Sequence, residues 1–443
     1  MRAGNGSRSA RALVAQGTHA PPPPWKTRHS EAPLTRPDAD LLILGGGAAG
    51  LSCAVHLSLQ GLTRSLRILL VEPRSRYQRD RTWCFWNVIP HPFEACVSHR
   101  WSSWRVADRE RRIDRSWPGL EYQQLPADAF YDRAVSLLSA DPNVELRLET
   151  RVERVESNPE SSTVVAVTDK GPLRAHLILD SRPRGARLDL QSGSATGPGF
   201  LLQHFHGLTV RSEKPVFQAG IATLMDFVES SPDGVHFLYV LPYDERTALV
   251  EDTWFSNQPG TVGSYEDAIS AYLANRLDVV RYEVLHSETG AIPMDPRPIP
   301  RSDSLRVIDV GTRGGAARPS TGYAFLAIQR HAAELARRLA GWASDPSREP
   351  PKPPRYYSRR SAFLDRVFVS YLARTPERGP DLFLRMFERV RPDALARFLF
   401  DGGRPRDDLR VMAALPPAPL IGETLRQYAA FPIAGGPRSR NVG

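Results

Sequence analysis

Lysine and cysteine are the scarce residues of this 443-residue chain. Only four basic residues are Lys (Lys26, Lys170, Lys214 and Lys352) and 54 are Arg, a ratio that coding bias produces as readily as selection for a partner. Three cysteines (Cys53, Cys84 and Cys96) are odd in number and lack CxxC spacing. That argues against a disulfide framework and against a structural zinc site, and fits a reducing cytosol. No apolar segment of signal-peptide type lies near the start, which argues against secretion, although an Arg- and Ser-rich transit peptide has the same composition. The longest stretch without formal charge, Leu41–Thr63, is interrupted by three consecutive glycines and carries His56 and Gln60. It reads as a strand, a turn and a helix, and not as a membrane span. No repeat of fixed period is present, and no Ser-His-Asp constellation stands out.

The formal charge of +9 is unevenly spread. Residues 1–40 carry +3, 351–410 carry +6 and 411–443 carry +2, which leaves the body at −2. The body is therefore no basic cradle, and no nucleic-acid partner is expected. A chain of this length buries a large core and has room for two sub-domains.

Residues 1–37 are rich in Pro, Gly, Ser and Arg, with Pro21–Pro24 in one run, and are expected to be a disordered, partly polyproline tail. Strands are expected at Arg67–Val71, Val144–Leu148, Thr163–Thr168, Leu177–Asp180, Phe237–Leu241, Ala248–Glu251 and Leu305–Val310. Apolar residues at helical spacing predict a helix from about Gly322 to Leu339. A Pro-rich linker, Asp345–Arg355, precedes a helical C-terminal segment.

Asp40-Leu-Leu-Ile-Leu-Gly45-Gly46-Gly47-Ala48-Ala49-Gly50 is an apolar strand that enters GxGxxG and then a helix. Gly45 permits the tight turn, Gly47 lets backbone approach a pyrophosphate, and Gly50 lets helix and strand pack closely. Ala48 opens the helix whose N-terminal N–H groups would meet the phosphates. Glu72 ends the next strand, 22 residues past Gly50, where a ribose hydroxyl is bound in such units. A second Gly-rich turn, Gly311-Thr-Arg-Gly314-Gly315, follows a late strand and leads through Thr321 and Gly322 into the helix. That late return to the cofactor favours FAD over NAD. The fold expected is α/β: a glutathione-reductase-type FAD-binding Rossmann domain (38–190 and 300–345), an interleaved β-rich substrate domain (191–299) and a helical C-terminal cap (346–443).

The order and spacing of several further segments resemble the flavin-dependent lycopene β-cyclases of carotenoid-making bacteria and plants. These segments span Asp40 to about Pro417. They are the GGGAAG turn with Glu72, Arg81-Thr82-Trp83-Cys84-Phe85-Trp86, Leu224-Met225-Asp226, Phe237-Leu-Tyr239-Val-Leu-Pro242, Val250-Glu251-Asp252-Thr253, Glu288-Thr-Gly-Ala-Ile-Pro293 and Arg318–Phe325. The resemblance implies reduced FAD as cofactor, NAD(P)H as reductant, and cyclisation of lycopene through γ-carotene to β-carotene without net redox change. It implies Glu251 as the catalytic acid, with Asp252 beside it and Asp226 as either an assisting acid or a structural cap. Trp83, Phe85, Trp86 and Tyr239 are expected either to line a polyene tunnel or to belong to the core.

The chemistry asks for an acid that stays protonated near neutrality. A carboxyl in an apolar pocket does so because desolvation disfavours its charge, and a second acid nearby adds to this. If the strand continues through Glu251, Asp252 points to the opposite face, and only one of the pair reaches the pocket. His204 and His206 alternate on one strand face, a pattern that suits hydrogen bonding better than metal binding, so no metal is expected.

The alternatives are an FAD-dependent monooxygenase, a polyprenyl reductase of the same fold, or a non-enzymatic flavin- or lipid-binding protein. Aromatic hydroxylases usually carry Asp-Gly and Gly-Asp-Ala where this chain has Asp180-Ser181-Arg182-Pro183 and Asp309-Val310-Gly311. In the cap, Phe363, Leu364, Val367, Phe368, Tyr371 and Leu372 form a stripe flanked by Arg366 and Arg374. Such a basic amphipathic helix suits the surface of an anionic bilayer. A cytoplasmic protein peripherally attached to the cytoplasmic membrane is expected.

Overall fold

The computed structural model describes residues 36–183, 200–300 and 302–430. The tail expected over 1–37 falls outside them, apart from its last two residues, as does the boundary expected at 190. β1 (Ala39–Leu44) is apolar without a break from Leu41 to Leu44 because it is covered on both faces, and it turns through Gly45–Gly47 into α1 (Ala48–Leu59). β2 (Ile68–Val71) lies parallel to it, with Leu41 beside Ile68 and Leu44 beside Val71. The chain then makes an excursion through β3 (Thr82–Trp86), β4 (His99–Trp101), the hairpin of β5 (Ser103–Ala107) and β6 (Arg112–Ser116), and β7 (Tyr122–Pro126). α2 (Ala127–Ser139) returns it to the first sheet, where β8 (Val144–Arg147) joins β2. β9 (Val152–Ser157) and β10 (Val164–Thr168) form an antiparallel edge, and β11 (Gly171–Asp180) pairs parallel with β1.

The second sheet is built from β12 (Leu201–Ser212), β13 (Ile221–Asp226), β14 (Val235–Pro242), β15 (Thr247–Ser256) and β16 (Tyr282–Met294), with α3 (Val262–Leu277) between the last two. The short β17 (Val307–Asp309) then rejoins the first sheet beside β11, and α4 (Phe325–Leu339) packs with α1 in its core. α5 (Arg359–Arg374), α6 (Gly379–Arg389), α7 (Pro392–Phe400), α8 (Pro405–Ala414) and α9 (Pro417–Ala430) form the cap. Among the described residues the strand orders are β8-β2-β1-β11-β10-β9, with β17 on β11, then β16-β12-β15-β14-β13-β5-β6, and a small third sheet, β3-β7-β4.

Two expectations change. The second sheet is not confined to residues beyond 190, because β5 pairs parallel with β13 and brings β6 with it. Only long-range pairing assigns that hairpin, whose own alternation suits either sheet. The stripe on α5 also turns inward. Val367, Tyr371 and Leu372 are buried, and Phe368 packs on Phe383 of α6. Its flanking cation Arg374 pairs with the buried Glu423 of α9. Among the described residues, the large apolar side chains exposed on the cap are Leu409 and Met412 on α8 and Ile421 and Leu425 on α9. Among the described residues no helix is long and apolar enough to cross a membrane.

One buried ion pair fastens the cap to the second Gly-rich turn. Arg318 and Asp365 are each 1% exposed, with Nη2 of Arg318 3.0 Å from Oδ1 of Asp365. Ser320 donates to the same oxygen at 2.6 Å, and the guanidinium also reaches the Phe398 carbonyl and lies over the Phe398 ring. Removing one partner strands a buried charge. Asp365→Ala is expected to destabilise the protein by about 3–5 kcal/mol in urea unfolding, and Arg318→Met/Asp365→Leu to recover most of that loss.

Candidate active site

A cavity of about 1010 Å³ runs between the two seven-stranded sheets and under the cap, from Gly45 and Glu72 at one end to Met412 and Ile421 at the other. Its first end is the glycine turn. Gly45 has φ +92°, and a side chain on Gly50 would stand 1.9 Å from the Gly45 carbonyl oxygen. Nothing lies within 4 Å of where a Gly47 side chain would begin, so that backbone is open to close approach. α1 begins with no side-chain cap and no acid in its first turn, and its N-terminal residues Gly47, Ala48 and Ala49 line the cavity. α4 also starts uncapped on the cavity wall. Two helix ends with free donors suit an anionic group such as a pyrophosphate. Glu72 is buried at the same end, accepting from the Gly46 N–H at 2.6 Å and from Nε of Arg74 at 2.8 Å. These residues fit a dinucleotide.

The second turn divides differently from its expectation. Thr321 and Gly322 line the cavity, together with Thr312 and Ser320. Gly311, Gly314 and Gly315 do not, because they shape the turn itself. The Gly311 N–H is taken by the Tyr356 hydroxyl at 2.7 Å, and a side chain on Gly314 would meet the Asp309 carbonyl oxygen at 2.4 Å. Gly315 sits at φ +95° against Ile299. Gly50 likewise serves packing alone.

Trp83, Phe85, Trp86 and Tyr239 all lie on the cavity wall. They also pack as core residues do: Phe85 stacks on Phe325 at 5.0 Å between centroids, and Trp86 meets Tyr122 edge-on at 4.8 Å. The two readings open for them are therefore not exclusive. Tyr239 donates to the Tyr122 hydroxyl at 2.9 Å. Phe368, Phe383, Met386 and Phe387 of the cap add an apolar wall that residue patterning alone did not reveal.

β15 passes through this wall with strict alternation. Leu249, Glu251, Thr253 and Phe255 line the cavity, whereas Val250 is in the core beneath α3. Glu251 is 7% exposed and accepts from Oγ1 of Thr253 at 2.9 Å. Desolvation holds its carboxyl well above the usual carboxylate range, and the negative field of Glu288 adds to the shift.

Neither other acid named with Glu251 reaches the cavity. Asp252 lies on the opposite face of β15, buried against Nε2 of His236, with Trp254 Nε1 3.4 Å away. Asp226 accepts from Tyr272 at 2.9 Å and pairs with Arg276 at 3.3 Å, in the manner of a structural cap. His204 and His206 share that outer face; His204 bonds to Tyr265 and Ser256, and His206 to Thr289. Among the described residues no group of His, Cys, Asp and Glu is arranged to hold a metal ion.

The acid on the cavity wall whose field reaches Glu251 is Glu288 of β16, the first residue of the Glu288–Pro293 segment. Its signal was not local. Gly207 of β12 is paired with Glu251 on one side and with Glu288 on the other, so the two carboxylates flank a residue with no side chain. A side chain on Gly207 would crowd Leu249 at 3.0 Å and Glu251 at 3.4 Å. Thr82 of β3 donates to Glu288 Oε2 at 2.9 Å.

Solved structures share this architecture. A geranylgeranyl bacteriochlorophyll reductase-like protein from Thermoplasma acidophilum superposes with a TM-score of 0.56 at 12% identity, over 88% of this chain and 98% of its own. A flavoprotein/dehydrogenase from Cytophaga hutchinsonii gives 0.58 at 14% identity, over 88% and 100%. The fold is thus that of the flavoprotein oxidoreductases with a Rossmann-type FAD domain. Within it, residues 40–424 match the model of the lycopene cyclase protein family, and the chain belongs to that family. It is 26% identical to the lycopene beta-cyclase of Pseudescherichia vulneris, over 87% of this chain and 96% of that protein. It is also 26% identical to the lycopene beta-cyclase of Paracoccus sp. (strain N81106 / MBIC 01143), over 89% and 98%.

The raised proton affinity of Glu251 has a consequence for stability. The folded state keeps a proton that the unfolded state releases near the ordinary value of 4.5, so folding weakens as pH rises above that value. Glu251→Gln, neutral at every pH, escapes this loss. The variant is expected to melt at a higher temperature than the wild type near neutrality, with the gap closing as pH falls towards 4.5; an equal gap at both pH values would contradict the burial argument.

Proposed function

We propose that this protein is a lycopene β-cyclase, an intramolecular lyase or isomerase that closes the acyclic ends of lycopene, through γ-carotene, into the β-ionone rings of β-carotene. The observation that carries this reading is Glu251: a carboxyl buried in the wall of a largely apolar cavity and biased towards its protonated form. An elongated hydrocarbon fits a cavity that continues from the second sheet beneath the aromatic side chains of the cap. Glu251 gives its proton to the terminal C=C, and the tertiary cation that results is attacked by the C5–C6 double bond. Loss of a proton then leaves a six-membered ring of unchanged formula. Asp252 and Asp226, which face away from the cavity, take no direct part in proton delivery. Trp83, Phe85, Trp86 and Tyr239 exclude water and hold the polyene end.

Gly45, Gly47, Ala48 and Glu72 would hold the pyrophosphate and ribose of FAD, with Thr312, Ser320, Thr321 and Gly322 nearer the flavin. Reduced FAD, when bound, supplies an electron-rich ring whose charge stabilises a nearby cation, and NAD(P)H is the reductant that maintains it.

Substrate enters from a membrane surface at the cap. Leu409, Met412, Ile421 and Leu425 are 64%, 52%, 57% and 65% exposed, and Met412 and Ile421 belong to the cavity wall as well. Apolar tips at the end of an apolar cavity suit insertion into a bilayer interface. On this reading the protein works at the cytoplasmic face of the cytoplasmic membrane.

Expression in a lycopene-accumulating bacterium, with the pigments then separated, is expected to yield cyclic carotenoids. Glu251→Gln is expected to lower conversion by about 100-fold or more. Unchanged lycopene with a folded, FAD-bound protein would reject the cyclase reading, and saturated products with stoichiometric NADPH consumption would point to a reductase. Purified protein is expected to float with liposomes, and Leu409→Asp/Leu425→Asp to remain in the unbound fraction while retaining bound flavin. Flotation equal to the wild type would remove α8 and α9 as the contact face.

A further inference from the structure

Cyclisation moves two protons. One is added at the start, and one leaves the ring at the end. Glu251 accounts for the first. For the second, the cavity wall offers one other carboxylate among the described residues of the β12–β15–β16 segment, that of Glu288. Both residues stand in register with Gly207, on strands to either side of it, so their backbones lie about two strand spacings apart, roughly 9–10 Å. The absence of a side chain between them leaves the intervening wall low.

Their surroundings differ. Glu251 is almost sealed from water, whereas Glu288 is only half-buried and accepts a hydrogen bond from Thr82 Oγ1 at 2.9 Å. A sealed carboxyl beside one that is open to water suits the division into one acid and one base. Titratable groups that feel the charge of Glu288 include Cys84 of β3 and Tyr243 after β14. Burial pushes the pKa of both upward, so they stay neutral over the working range, and Glu251 is the acid that shares its field. His286 lies two residues away on its own strand.

We propose that Glu288 is the catalytic base that ends the cyclisation and decides which proton leaves. This rests on the cyclase reading above. The proton of Glu251 goes to the terminal C=C, and the C5–C6 electron pair forms the ring-closing bond to the tertiary cation. The C6–H bond then breaks, its electrons become the ring double bond, and its proton passes to the Glu288 carboxylate. Transfer of one proton from Glu288 back to Glu251 restores both groups. No oxidant or reductant is consumed. Because the last cation has several neighbouring C–H bonds, the position of the base selects a β ring over its double-bond isomers.

The test uses the purified full-length, flavin-loaded protein with lycopene in liposomes, comparing the wild type, Glu288→Gln, Glu288→Asp and Thr82→Val across pH. Glu288→Gln is expected to lower kcat by about 100-fold or more, to abolish the acid-side limb of the pH profile and to release ring isomers other than β. Glu288→Asp is expected to restore the limb and the β ring in part. Thr82→Val, which removes a hydrogen bond to the charged form, is expected to move the limb to higher pH, and it carries the test if Glu288→Gln fails to bind flavin. A Glu288→Gln enzyme within about threefold of the wild type overturns the proposal, as does one that slows but keeps both the acid limb and pure β rings. So does an unmoved limb in Thr82→Val. A wild type that forms no ring at all would instead reject the cyclase reading itself.

Discussion

Taking a carboxyl group out of water makes its charge costly, and the rest of the site is arranged around that cost at Glu251. The residue sits in a strand whose alternate side chains, Leu249, Glu251, Thr253 and Phe255, face the cavity. A single hydroxyl, that of Thr253, meets it. The penalty is tolerable only because the group keeps its proton, and the negative field of Glu288 reinforces that preference. A stability cost and a proposed chemical use are thus the same physical quantity, seen once in folding and once in turnover.

The fold meets this constraint with separate pieces of chain. The first sheet carries a glycine turn and an uncapped helix end, and the second carries the acids. The cap then closes the cavity with aromatic side chains from α5, α6 and α7. Its hold on the body depends on the buried Arg318–Asp365 pair, which ties α5 to the turn that runs into α4. A charge pair is an expensive fastener in a dry interior, but its directional geometry sets where the cap sits relative to the turn. The same interface explains why the apolar stripe of α5 turns inward: Leu364, Val367 and Phe368 line the cavity, and Tyr371 and Leu372 are buried.

Much of the local organisation was legible in residue order. β1, the glycine turn and α1 follow from a run of apolar residues, a tight turn and a helical period, all of which act within a few residues. The strands at Ile68–Val71, Val164–Thr168 and Val307–Asp309 followed in the same way. So did the opposition of Glu251 and Asp252, since strand alternation alone sends adjacent side chains to opposite faces. The hairpin Ser103–Ser116 was less tractable, because its own residues do not state which sheet it will extend.

What residue order by itself determined was therefore the chemistry available: a dinucleotide-type turn, an acid next to its turned-away neighbour, and aromatic segments in the order of a known family. Tertiary structure alone decided which groups meet. Glu251 and Glu288 are far apart in the chain and come into register only because β12 pairs with β15 on one edge and β16 on the other, across Gly207. Asp226, adjacent in motif to cavity residues, was drawn instead to Tyr272 and Arg276 on α3. Strand register and helix docking are set by the joint packing of distant segments, and no short-range pattern contains that information.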